Sequence, residues 1–197
     1  PEERNKVIEK ENMFIDLGCS NRKEAETLGV RVGDPVVPYS IFSIIQKTAF
    51  EIENGVEHDK GIVKLAMGKA FDDRVGVFIA LEVIRRLQEQ EIAHPNTVVG
   101  AATIQEEVGA RGARTTAWLA EPDVCITLEV DVAGDVPGVE QQLAQAVLGK
   151  GPAILTYDAS MIPNQPLKEF MIEQAETNNI PYQLSSVARG GTDAGAI

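Results

Sequence analysis

Seven acidic residues fall where the chain is expected to pass from one structural element to the next: Asp72, Asp73, Glu106, Glu107, Glu129, Asp131 and Asp135. The stretch "TIQEEVGARGA" sets Glu106 and Glu107 directly after the apolar run "NTVVGAATI". Side chains alternate across a strand, so one member of such a pair would face a covered side. An ionised carboxylate there is costly unless it is paired or coordinates a metal. Asp72 and Asp73 sit where a loop enters a helical pattern, and Glu129 and Asp131 end a second apolar run, with Asp135 following in "AGDVPG". Open α/β sheets build their sites in the crevice beyond the carboxyl ends of strands. Carboxylates meeting there from three segments repel one another unless a cation lies between them. That arrangement argues for a divalent-metal site, ideally with two metals and one bridging carboxylate. A water on such a metal has its pKa lowered towards neutrality, and a neighbouring carboxylate can take its proton.

The elements that must position these groups can be read in outline. Residues 1–64 form a β-rich stretch, with a short helix over 21–28 capped by Ser20 and ended by Gly29. Its strands are expected in "NMFIDL" and in "SIFSIIQ", "TAFEIE" and "GIVKLAM", the last two separated by the polar turn "ENGVEHDKG". From residue 65 to 197 helices and apolar runs alternate. "DDRVGVFIALEVIRRLQEQ" carries Val75, Phe78, Ile79, Val83, Ile84 and Leu87 at helical spacing. "GARGARTTAWLA" reads as a second helix, and "NQPLKEFMIEQAETNN" as a third with Asn164 as cap and Pro166 in its first turn. "NTVVGAATI", "PDVCITLEV", "GPAILTYD" and "IPYQLSSVA" are the intervening strands. This alternation implies an α/β fold, a central mixed sheet flanked by helices.

Composition narrows the class. The net charge of −12 speaks against nucleic acid or an anionic membrane as partner and is compatible with a site that collects cations. No apolar run approaches the ~20 residues of a membrane span. The opening "PEERNKVIEKEN" is no signal peptide. Cys19 and Cys125 make neither a metal spacing nor a disulfide framework, which reads as buried reduced thiols and a cytoplasmic protein. His58 and His94 lie in polar turns as surface residues. Each acidic motif also has an ordinary reading: Asp72 and Asp73 as helix caps, Glu106–Glu107 as a solvated loop, Glu129 as an exposed strand end. "GGTDAG" alone is a flexible turn. The chain also reads as an internal piece of a longer protein, since it lacks an initial Met and stops inside "RGGTDAGAI".

The combination is more specific than its parts. "GKAFDDRVG", "TIQEEVGARGA", "LEVDVAGDVPG" and "ARGGTDAG", in this order, resemble the glutamyl-aminopeptidase-like, co-catalytic metallo-aminopeptidases. That family includes self-compartmentalising tetrahedral enzymes, and some members carry the label endoglucanase or cellulase. "NMFIDLGCSNRKEAETLGVRVGDPV" resembles the family's inserted β-barrel domain. The resemblance implies that 1–64 is part of that barrel, of a dimerisation type, and that 65–197 belongs to the zinc-peptidase-like catalytic domain. It implies two divalent metal ions, zinc or cobalt, bridged by Asp72, whose bond to Asp73 is often cis in the family. It further implies Glu106 as general base, Glu107 as ligand to one metal and Glu129 to the other, where most members carry Asp. Gly191, Thr192 and Asp193 would border the substrate, a peptide with a free N-terminus. Two histidine ligands complete the family's site, and neither His58 nor His94 falls at either position. Dimers or dodecamers are the implied assembly. Two rival readings stand beside this one. A glycoside hydrolase would separate its carboxylates by ~5–9.5 Å across a sugar cleft, which adjacent glutamates and 5% aromatic content suit poorly. A non-catalytic assembly module would use the β-rich part for self-association.

Overall fold

The computed structural model describes residues 7–54, 56–140, 142 and 144–197. The chain divides into two compact units after Ile41. In the first, helix α1 spans Arg22–Thr27. Its cap is Asn21, whose side-chain oxygen accepts the Glu24 N–H at 3.1 Å, one residue later than the sequence suggests. Ser20 contributes differently: its N–H donates to the Glu24 carboxylate at 2.7 Å, so Glu24 closes the turn from the opposite side. The expected strand at 13–17 is extended backbone with no ladder partner among the described residues, and Phe14 is exposed.

The second unit opens on a hairpin, β1 (Ser43–Glu53) antiparallel to β2 (Val56–Met67). Three short strands were expected; two long ones are present. The polar segment His58–Lys60 continues β2, because a two-stranded ribbon leaves its side chains to solvent and polarity there does not signal a turn. A register shift between Thr48 and Phe50 absorbs the irregularity. Helix α2 (Phe71–Glu89) follows, then α3 (Arg111–Ala120), strand β3 (Ala153–Tyr157), helix α4 (Gln165–Thr177) and strand β4 (Gln183–Ser186). Strands β3 and β4 pair in parallel, as a strand–helix–strand crossover demands. Asn164 caps α4 as expected, accepting the Leu167 N–H at 3.0 Å.

The chain is thus a mixed α/β structure with small sheets. Among the described residues the sheets have two strands each, β1–β2 and β3–β4. The runs at 96–104 and 122–130, expected as inner strands, have no ladder partners among the described residues, and Val98, Val99 and Ile126 are exposed. An apolar run states what a segment is fit to bury, not which edge it pairs with. The first run nonetheless lies across α2: a Cβ at Gly100 would sit 3.2 Å from Ile84 Cγ1. The buried set is small and in part polar. Among the described residues it comprises Ala113, Ala144, Ala146 and Ala175, the glycines Gly76 and Gly112, and Asp158, Ser185 and Asp193. Cys19 and Cys125 are free thiols as expected, but half-buried and exposed respectively, so the expectation of burial is corrected.

Two expected outcomes follow from α2. Its exposed side carries Glu82, which accepts bonds from Arg85 and Arg86 at 2.7 Å each. These hydrogen bonds hold its carboxyl well down, from the ordinary 4.5 to about 2. A depressed acid contributes stability that is complete above its ordinary value and disappears as pH falls towards 2. NMR titration of Glu82 will show this low midpoint, and Arg85→Ala with Arg86→Ala will return it towards 4.5. On the inner side, a Cβ at Gly76 would overlap the Asp73 carboxylate and lie 2.7 Å from the Leu128 carbonyl oxygen. Gly76→Ala will therefore destabilise the full-length protein by about 1–3 kcal/mol in urea denaturation.

Candidate active site

Four of the acidic residues are carried by two turns of unusual backbone, and Glu129 by an irregular run. Ala70 takes φ +60 ahead of Phe71, and Asp72 and Asp73 keep non-helical angles, so regular α2 begins only at Arg74. The Asp72–Asp73 peptide bond is cis. Asp73 is half-buried and its Oδ1 accepts the Gly76 N–H at 2.7 Å, while Asp72 is exposed. Glu106 and Glu107 lie in a 3-10 turn, Glu106–Val108, flanked by Gln105 at φ +60 and Ala110 at φ +49. Left-handed angles cost a residue with a Cβ about 1–3 kcal/mol and gather at functional sites. The turn is closed by the Gly109 and Ala110 N–H groups, both donating to the Glu106 carbonyl at 2.9 Å. Gly112 N–H donates to the Ile104 carbonyl at 2.9 Å, fixing the start of α3 against the preceding segment. Glu129 lies in the extended run before Ala133, with Oε1 accepting the Val130 N–H at 3.0 Å.

Electrostatics ties these turns together. The Glu106 carboxyl is held above its usual range by partial burial first, then by the charges of Asp193, Glu107, Asp72 and Asp73. Glu129 is raised to about 7. Desolvation of its carboxyl is the main cause, opposed by the Val130 N–H and reinforced by Asp73, Asp72 and Glu106. The residue as a whole is solvent-exposed. Glu106 thus lies in the field of Asp72, Asp73, Glu107 and Asp193, and Glu129 in that of Asp72, Asp73 and Glu106. Asp135 does not join them; its Oδ1 accepts the Leu148 N–H at 3.2 Å. Asp131 turns Oδ1 to the Val132 N–H at 2.7 Å, and its Oδ2 is buried without a hydrogen-bond partner. His94 is exposed and bonds the Asn96 carbonyl at 2.7 Å, and His58 is also exposed, as the sequence suggests.

The donor chemistry fits a divalent cation: carboxylates from other segments add to the raising of Glu106 and Glu129, and Asp131 and Asp193 each keep a buried oxygen unpartnered. Geometry fits less fully. Among the described residues no three His, Cys, Asp or Glu side chains converge closely enough to enclose an ion. This chain supplies the charge and individual donors, not a closed coordination sphere.

Gly191 and Thr192 stand on the loop after β4, Gly191 exposed and Thr192 half-buried. Asp193 is buried, with Oδ2 accepting from Thr103 Oγ1 and Oδ1 unpartnered. Two residues of this region went unread in the sequence, Thr103 and Asp158. Asp158 carries the same signature as Glu106, an acid directly after an apolar run ("AILTYD"), and could have been found by it. Thr103 carries no signal of its own.

Comparison with known proteins identifies the family. The family model of the M42 glutamyl aminopeptidases matches residues 1–197. A TET aminopeptidase from a marine-sediment Thaumarchaeota archaeon superposes with a TM-score of 0.86 at 55% identity, over 100% of this chain and 51% of that one. The Pyrococcus horikoshii TET1 peptidase, which can assemble into a tetrahedron or a large octahedral shell, matches with a TM-score of 0.56 at 32% identity. That match covers 77% of this chain and 41% of the other. The lysyl aminopeptidase of Pyrococcus furiosus is 30% identical over 96% of this chain and 48% of its own length. The chain spans about half the length of the curated relatives it matches. By the family match across all its residues, this chain belongs to the M42 glutamyl aminopeptidases.

Proposed function

We propose that the whole protein is a metal-dependent aminopeptidase that releases residues from peptides with a free N-terminus. The observation that carries this reading is the shared field of Asp72, Asp73, Glu106, Glu107, Glu129 and Asp193, within a chain of this family. Asp72, Glu107 and Glu129 would hold two divalent metal ions, zinc or cobalt. When bound, these ions supply Lewis acidity and a water acidified towards neutrality.

The remaining steps belong to the chain's own groups. Glu106 takes a proton from the attacking water as the oxygen–carbon bond to the peptide carbonyl forms. It returns that proton to the leaving amine as the carbon–nitrogen bond breaks. A carboxyl already raised by burial and by its neighbours holds a proton better between these two transfers than an ordinary glutamate. Glu129, raised to about 7, is partly protonated near neutrality and gives up that proton when a cation takes its place. Gly191 and Thr192 border the substrate, and Asp193 supports them from within.

On the same reading, 1–64 is part of a β-barrel inserted into the catalytic domain that 65–197 builds in part, and the whole protein works in the cytoplasm as a homo-oligomer. The assembly of the Pyrococcus horikoshii relative supports the last point. Among the described residues no helix is long and apolar enough to cross a membrane. Two-carboxylate glycoside hydrolysis is not favoured, since the named relatives are aminopeptidases.

In the full-length protein, chelator will abolish release of N-terminal residues from peptides. Glu106→Gln will lower turnover by ~10²-fold or more, the scale of a lost general base, while metal content stays that of the wild type. Near-normal turnover by that variant removes the role given to Glu106.

A further inference from the structure

Asp158 ends β3 and is 2% exposed, the most buried acidic side chain among the described residues. An ionised carboxylate so placed is tolerated only when its oxygens are well supplied with donors. Oδ1 accepts three bonds, from Ser160 N–H at 2.6 Å, Ser160 Oγ at 2.7 Å and Met161 N–H at 2.7 Å. Oδ2 faces Thr192, whose Oγ1 donates at 3.4 Å. Beside it, Ala159 N–H donates to the Gly190 carbonyl at 3.0 Å. Side chains at Gly191 and Gly195 would both run into Ser160, so the loop lies directly on the turn that Asp158 organises. The loop's other attachment leaves this region. Thr103 Oγ1 donates to Asp193 Oδ2 across 90 residues of sequence. Thr103 stands three residues before Glu106, in the segment whose Ile104 and Gln105 carbonyls bind the first turn of α3.

We propose that Asp158 is a positioning residue for Glu106: it holds the Gly190–Gly195 loop so that Asp193 engages Thr103 and steadies the Glu106–Val108 turn. The chain of contacts is continuous, from Asp158 through Thr192 and Asp193 to Thr103. Severing either end frees the same turn. The kinetic consequence rests on the aminopeptidase reading; the structural consequence does not.

The test uses the full-length protein with Asp158→Asn, which keeps size and removes charge, and Thr103→Val, which keeps shape and removes the donor. Hydrogen exchange at the Gly109 and Ala110 amides, which close the Glu106 turn, will quicken in both variants. On an aminoacyl peptide, kcat will fall roughly 10- to 100-fold in each, the scale of a misplaced catalytic group, with KM within about twofold. The double variant will lose no more than the worse single one, and Thr103→Ser will restore the wild-type values. Unchanged exchange at Gly109 and Ala110, or losses that multiply in the double variant, overturns the proposal. Should Asp158→Asn fail to fold, Thr103→Val decides alone by its exchange at Gly109 and Ala110 together with Gly190–Gly195. Should the wild type release no N-terminal residues, the aminopeptidase reading fails while the exchange result still decides this one.

Discussion

The constraint on which the rest of this structure depends is repulsion among carboxylates that the fold will not let separate. Asp72 and Asp73 arrive on the first turn of α2, Glu106 and Glu107 on a tight 3-10 turn, Glu129 on an extended run and Asp193 on the loop after β4. Burial and the charges of these neighbours together raise the cost of ionising Glu106 and Glu129. A fold under selection for stability alone would disperse these charges or pair them with lysine and arginine, as α2 does on its exposed side with Glu82, Arg85 and Arg86. Glu82, paired with two arginines, has its proton affinity lowered, whereas Glu106 and Glu129, partly desolvated and facing other carboxylates, have theirs raised.

Holding the charges together takes backbone as well as side chains. Ala70, Gln105 and Ala110 sit in left-handed conformations immediately beside the acidic turns, although none is glycine. Gly76 lets the Asp73 carboxylate and the Leu128 carbonyl approach α2 where a methyl group would not fit. The buried polar set belongs to the same scheme. Asp158 and Asp193 occupy interior positions where apolar groups would add more stability; Asp158 accepts from Thr192 of the loop that flanks the acidic rim, and Asp193 ties that loop to Thr103. Interior volume has been given to orientation.

Much of this was legible in the sequence, and the physical reasons separate what was from what was not. Helix α2 announced itself through periodicity and α4 through its apolar face and the Asn164 cap, because those signals act within one or two turns of chain. The parallel pairing of β3 and β4 followed from the helix between them. Strand partnership was less accessible. The runs at 96–104 and 122–130 read as inner strands because they are apolar, but pairing depends on an edge elsewhere in the chain, and no ladder holds them among the described residues. The hairpin was misjudged for the opposite reason, since polar His58–Lys60 can continue a strand that faces solvent. At the site, an acid following an apolar run identified Glu106 and Glu129. The link from Thr103 to Asp193 spans 90 residues and could be found only in three dimensions.

The central claim is that these carboxylates destabilise one another until a cation joins them. Its most direct test is the melting temperature of the full-length protein with and without zinc, at a pH above the midpoint of about 7 held by Glu129, beside Glu129→Gln. Removing one charge relieves repulsion, and a ligand that binds only the folded state raises its stability. The account predicts that the metal-free variant melts above the metal-free wild type and gains less from zinc. A metal-free variant melting at or below the wild type, with an equal gain from zinc, would contradict it.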